Sequence, residues 1–206
     1  MPLKSERLRM IFKRVENFLN DIQEQEKALQ TKDGGSPQDL IKNYLNFVNV
    51  LDDAQVVIKK EKAEESKKSE QSGQVFNVLV QYITRLKLKT SVDRNLLQAK
   101  ILAQKLDATQ LFNPIKTVAL AVRPQNIVRF YEKAMKSQKQ LLTADRESMD
   151  PAAVLQNELQ EKYQNVLISY YIALHYVQEH QSQGVKQALV ILQSCQYKIE
   201  DTIEFA

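Results

Sequence analysis

The chain has 206 residues, of which 43% are hydrophobic, and a net charge of +4; that is enough material for one sizeable core or two small ones. Its longest apolar runs, such as Val56 to Ile58 and Val118 to Val122, fall far short of the roughly 20 residues a membrane span needs. The opening M-P-L-K-S-E-R-L-R is charged where a secretory signal would be apolar, and the single cysteine, Cys195, excludes an intramolecular disulfide. These features predict a soluble chain without membrane insertion, suited to a reducing compartment. A pI near 9.0 is mild for a protein whose partner is nucleic acid. Only four glycines and five prolines punctuate a sequence rich in Leu, Gln, Lys and Glu, which favours long helices.

In chain order, Leu8, Ile11, Val15, Phe18, Ile22 and Leu29 follow three-and-four spacing and predict one stripe of a helix over Leu3 to Gln30. Gly34 and Gly35 can close it in the left-handed conformation. Ser36-Pro37 then starts a second helix, with Ser36 as cap, Pro37 at the first helical position and Asp39 near the positive helix end. Ile41, Tyr44, Val48, Leu51 and Ile58 repeat the stripe, so residues 1–58 read as an antiparallel hairpin. Residues 59–74, K-K-E-K-A-E-E-S-K-K-S-E-Q-S-G-Q, hold no hydrophobic side chain larger than Ala63 and read as a charged, flexible linker. The interleaved glutamates make a solvated connection a better reading than an RNA-contacting tail.

Residues 75–206 read as a second helical domain. Leu79, Tyr82, Ile83, Leu86, Leu97, Ile101 and Leu102 carry helical spacing, with Thr90-Ser91-Val92 the place for a bend; two helices or one bent helix both satisfy it. Arg85, Lys87, Lys89, Arg94 and Lys100 lie in the same stretch, opposed only by Asp93. They are candidate contacts to RNA phosphates or to a partner protein, against the plainer reading of a solvated basic face with snorkelling stems. Asn113-Pro114 stops any helix before it, and V-A-L-A-V suits either a short buried helix or an extended piece. A helix restarts at Pro124 with Ile127, Tyr131, Ala134, Gln138 and Leu141 on one face. Asp150-Pro151 opens another with Leu155, Leu159, Tyr163, Val166, Tyr170, Ala173 and Val177. Over 163–199 a tetratricopeptide-like hairpin turns at E-H-Q-S-Q-G, with the small Ala173 and Ala188 at the helix crossing. Tyr170, Tyr171 and Tyr176 are candidates for lining a protein-interaction groove. The expected fold is all-α: antiparallel helical hairpins forming an elongated bundle or an irregular tetratricopeptide-like repeat. Helical stripes interrupted every 20 to 30 residues favour that bundle over a homodimeric coiled coil.

No residue pattern of a catalytic, metal or cofactor type is found. His175 and His180 are five apart, off the four-residue spacing of a zinc pair. Cys195 has no histidine nearby in sequence and reads as a small core residue. Asp52 and Asp53 read as helix-surface carboxylates, and glycines are too few for a phosphate cradle. The prediction is therefore no enzyme, no metal and no cofactor.

Three segments in order, Q-Y-I-T-R-L-K-L-K-T-S-V-D-R-N, R-P-Q-N-I-V-R-F-Y-E-K-A and Y-I-A-L-H-Y-V-Q-E-H-Q-S-Q-G-V-K-Q-A-L-V-I-L, resemble the central and later helical region of the sixty-eight-kilodalton subunit of the eukaryotic signal recognition particle. A weaker likeness extends back over M-P-L-K-S-E-R-L-R-M-I-F. The resemblance implies a non-enzymatic scaffold segment of a ribonucleoprotein that directs ribosomes making secretory proteins to the endoplasmic reticulum. Its implied partners are the particle RNA, the seventy-two-kilodalton subunit and, indirectly, the ribosome. The implied location is the cytoplasm, with association at the endoplasmic reticulum and passage through the nucleolus during assembly. The chain reads as a fragment of a longer one whose RNA-binding and docking segments lie outside it, so little intrinsic RNA affinity is expected. The alternatives are direct RNA binding through the five basic residues, and a generic tetratricopeptide-like adaptor unrelated to the particle.

Overall fold

The computed structural model of the chain describes residues 5–31, 35–65, 70–106, 122–148 and 151–205. Among these, five helices and no strands occur: α1 (Glu6–Gln30), α2 (Pro37–Glu65), α3 (Glu70–Lys105), α4 (Pro124–Ser148) and α5 (Pro151–Phe205). The fold is all-α, as expected. The chain divides into two compact units, Met1–Ser91 and Val92–Ala206.

In the first unit α1 buries Leu8, Ile11, Val15 and Ile22, four of the six residues of the expected stripe. Its start is capped by Ser5, whose hydroxyl accepts from the Leu8 amide at 3.4 Å. Its end differs from expectation. Thr31 leaves the helix in an extended conformation and bonds back to the Ala28 carbonyl through its N–H at 3.3 Å and its hydroxyl at 2.9 Å. The last turn is thus closed by a threonine, and Gly35 does not adopt a left-handed φ; Gly34 lies outside the described residues. Ser36 caps α2 through the Asp39 amide at 3.3 Å, with Pro37 first in the helix. Helices α1 and α2 run antiparallel: Asn43 donates to Gln25, Tyr44 to Glu26 and Arg14 to Asp53, while Phe18 stacks on Phe47 with ring centroids 6.3 Å apart.

A third helix completes this unit. Lys87 bonds Asp52, Gln55 bonds Thr84 and Lys62 bonds Asn77, one number rising as the other falls by the same step, so α2 and the front of α3 are also antiparallel. The stretch expected to be a linker over 59–74 is therefore largely helix: α2 continues to Glu65 and α3 begins at Glu70, with 66–69 outside the described residues. The reason lies in the neighbour. Lys, Glu, Ala and Gln are good helix formers, and Ile58 and Phe76, both buried, anchor the helix ends on either side. Being covered by two helices, α2 buries Phe47, Val50, Leu51, Ala54 and Ile58, a wider face than the single stripe predicted.

In the second unit Ala99, Val122, Ile127, Val128, Tyr131 and Ile168 form the core, with Leu96, Leu102, Phe130, Leu167 and Ile172 packed around it. Each such aliphatic side chain contributes about 1.5–3 kcal/mol of burial. Helix α4 buries Ile127, Tyr131, Ala134 and Gln138 on the expected face, with Leu142 in place of Leu141. The backbone is helical throughout α5, yet Cys195 Sγ lies 3.9 Å from the Val166 carbonyl oxygen and Lys198 Nζ donates to Ser169 Oγ at 2.7 Å. Residues 29 apart on a straight helix would be about 44 Å apart. The 55-residue span therefore folds back on itself between Ser169 and Cys195, and the small Ala173, Gly184 and Ala188 are buried near the reversal beside Leu174.

Candidate functional site

Three of the five basic candidates belong to the first unit and two to the second. Lys87 pairs with Asp52, so its charge is answered within the chain. Arg85 and Lys89, four residues apart, share a different side of α3 from Lys87; Arg85 is half-buried and Lys89 exposed. In the second unit Lys100 is exposed, while Arg94 is half-buried with its Nε enclosed. Within the first unit, then, the structure separates Lys87 from its two companions.

The tyrosine candidates fare differently. Tyr171 stacks on Tyr131 of α4 with ring centroids 5.9 Å apart and planes 16° apart, and Tyr170 meets Tyr171 edge-on at 5.1 Å and 72°. Both distances are those of favourable aromatic pairs. Burial, reinforced by the nearby Tyr171 and Tyr163, raises the Tyr131 phenol to about 12. Burial also raises that of Tyr171, with Tyr170 and Tyr163 adding to it. A cluster of four tyrosines results: Tyr131 and Tyr171 at its base, Tyr163 and Tyr170 on the surface at 59% and 41% exposure. Tyr176 instead neighbours the His175 ring at 6.3 Å.

Sequence reasoning placed Tyr163 and Tyr170 on the buried stripe of α5, and the structure corrects this. Gln164, which is fully buried, Ile168 and Ser169 go inside in their place, while Ala173 is buried as the stripe expects. A glutamine in the core is invisible to an apolar template. Sequence reasoning also passed over the outer face of α4. Arg129, Lys133 and Lys136 are all exposed there, and their four-and-three spacing, visible in R-F-Y-E-K-A-M-K, was the signal. Among the described residues no group of three or more His, Cys, Asp or Glu could hold a metal ion, and no helix is long and apolar enough to cross a membrane. Cys195 is buried.

Packed antiparallel helices define an all-α protein of the bundle or helical-repeat class. More narrowly, the chain belongs to the family of RNA-binding signal recognition particle 68, whose profile matches residues 1–204. That agrees with the resemblance carried by the three ordered segments and extends it over essentially the whole chain. It is a family of RNA-binding particle subunits. No curated protein and no solved structure matched the chain.

Proposed function

We propose that this chain is an RNA-contacting helical scaffold of the signal recognition particle, acting in the targeting of secretory proteins to the endoplasmic reticulum. The observation that carries the reading is the family match over residues 1–204. Because the matched family is described as RNA-binding and the match leaves no large part of the chain aside, direct RNA contact is favoured over the scaffold of little intrinsic affinity expected from the sequence. The exposed Lys89, Lys100, Arg129, Lys133 and Lys136 offer the charge that phosphate contact requires. The seventy-two-kilodalton subunit is the protein partner and the cytoplasm the location that this role implies.

Affinity capture with the chain from a cytoplasmic extract tests the reading: particle RNA and the partner subunit are expected in the eluate. Recovery of an unrelated protein with neither of them would favour the generic adaptor.

A further inference from the structure

The outer face of α4 carries one sign of charge in register. Arg129, Lys133 and Lys136 follow one another at four and three residues, which places them within an arc of roughly 60° along about 10 Å of helix. All three are exposed, and none is in an ion pair among the described residues. Lys139, on a neighbouring line, is by contrast occupied by Glu161 at 3.3 Å. Glu132 is the only acid from Pro124 to Ala144. The opposite side of α4 is committed to the core through Ile127, Tyr131 and Ala134, so the rotation of the helix is fixed and the basic line is held outward. Lys133 Nζ sits 5.5 Å above the Phe130 ring, a contact that favours one placement of an otherwise mobile side chain.

We propose that this face binds the phosphate backbone of duplex RNA without regard to sequence, Arg129, Lys133 and Lys136 each neutralising a phosphate. The proposal rests on the RNA-binding reading above and gives it a surface. A protein partner fits less well. Interfaces between proteins are centred on apolar or aromatic anchors, and no large hydrophobic residue of α4 is exposed. A single strand also fits less well, since its binders interleave charge with stacking aromatics, whereas Phe130 is half-buried beneath Lys133 and Tyr131 is inside. Duplex RNA has a deep, narrow major groove that side chains do not read. A short basic helix face therefore meets its backbone, where Arg grips phosphate in bidentate fashion and Lys acts as a point charge.

The test is a salt titration of the whole chain with a duplex RNA and with a single strand of equal length. For the triple variant R129Q/K133Q/K136Q the slope of log affinity against log salt should shrink by about 2 to 3, given about 0.9 per phosphate contact on a duplex. The affinity lost between 50 and 200 mM salt should accordingly shrink by about forty-fold. The charge-keeping variant R129K/K133R/K136R should retain the slope, and unchanged circular dichroism of both variants is expected at these exposed positions. If the unaltered chain binds duplex RNA and the triple glutamine variant matches its slope, or if only R85Q/K89Q/K100Q lowers it, the α4 face is overturned while the RNA-binding reading stands. Tighter binding of the single strand overturns the duplex assignment. If the unaltered chain binds neither RNA, the RNA-binding reading fails and the proposal with it. Retention on immobilised polyglutamate that only the glutamine variant loses would then assign the face to an acidic protein.

Discussion

Two residues show how local chemistry departs from expectation. At Gly35 the left-handed conformation that would demand glycine is absent, and an added Cβ would meet Ala28 Cβ at 3.6 Å, an ordinary contact. Gly35→Ala should therefore be tolerated and stabilise by about 0.4–1 kcal/mol through the unfolded chain, read as a raised melting temperature. Tyr131 makes a prediction about pH. Its folded phenol is raised from 10.0 to about 12, so the unfolded chain gives up this proton first. The stability Tyr131 contributes is fully present below pH 10 and is lost as pH rises toward 12. In denaturant melts across that window, Tyr131→Phe should lose less stability than the unaltered chain. The caps at Ser36 and Pro37 were readable because their chemistry is local. Thr31 was not, because glycines just beyond it offered a commoner way to end a helix.

At the scale of the element, a helix is legible to the extent that one face alone is buried. Helix α1 meets that condition, and four of its six stripe residues were named correctly. Helix α3 does not: within the first unit it buries Phe76, Ile83 and Thr90, seven apart, and within the second Val92, Asn95 and Ala99, at three-and-four spacing. No single stripe passes through both sets, since 90 and 92 do not share a helix face. A reading that looks for one stripe averages them. Residues 59–65 were misread for a related reason, since nothing in a run of Lys and Glu announces that α3 will lie alongside. Hydrogen exchange checks this: amides of 59–65 should be protected as helix, not exchange at linker rates. The reversal within α5 is open to a distance measurement. Spin labels at the exposed Tyr170 and Tyr197 would be about 40 Å apart on a straight helix. The folded-back span predicts a distance close to the roughly 8–10 Å of packed helices plus the label arms.

At the scale of the molecule, the family and the fold class were carried by long-range order in the sequence: three segments in fixed succession and a near absence of strand and turn signals. The division into units falls between Ser91 and Val92, inside α3, at the Thr90-Ser91-Val92 place for a bend. Each unit has its own core. Ile58→Ala in the first and Ile127→Ala in the second remove fully buried side chains, and each should cost about 2–5 kcal/mol. Their effects should add within about 0.5 kcal/mol in the double variant if the cores are energetically separate, as denaturant unfolding of the four proteins would show. The tyrosine cluster has a practical side. The chain has no tryptophan and eight tyrosines, and four of those eight gather around Tyr131 and Tyr171. Its ultraviolet emission therefore comes from tyrosine alone, with six of the eight emitting rings in the second unit. Excitation passing between rings this close will depolarise that light, so the protein carries its own unlabelled optical probe of whether the second unit is intact.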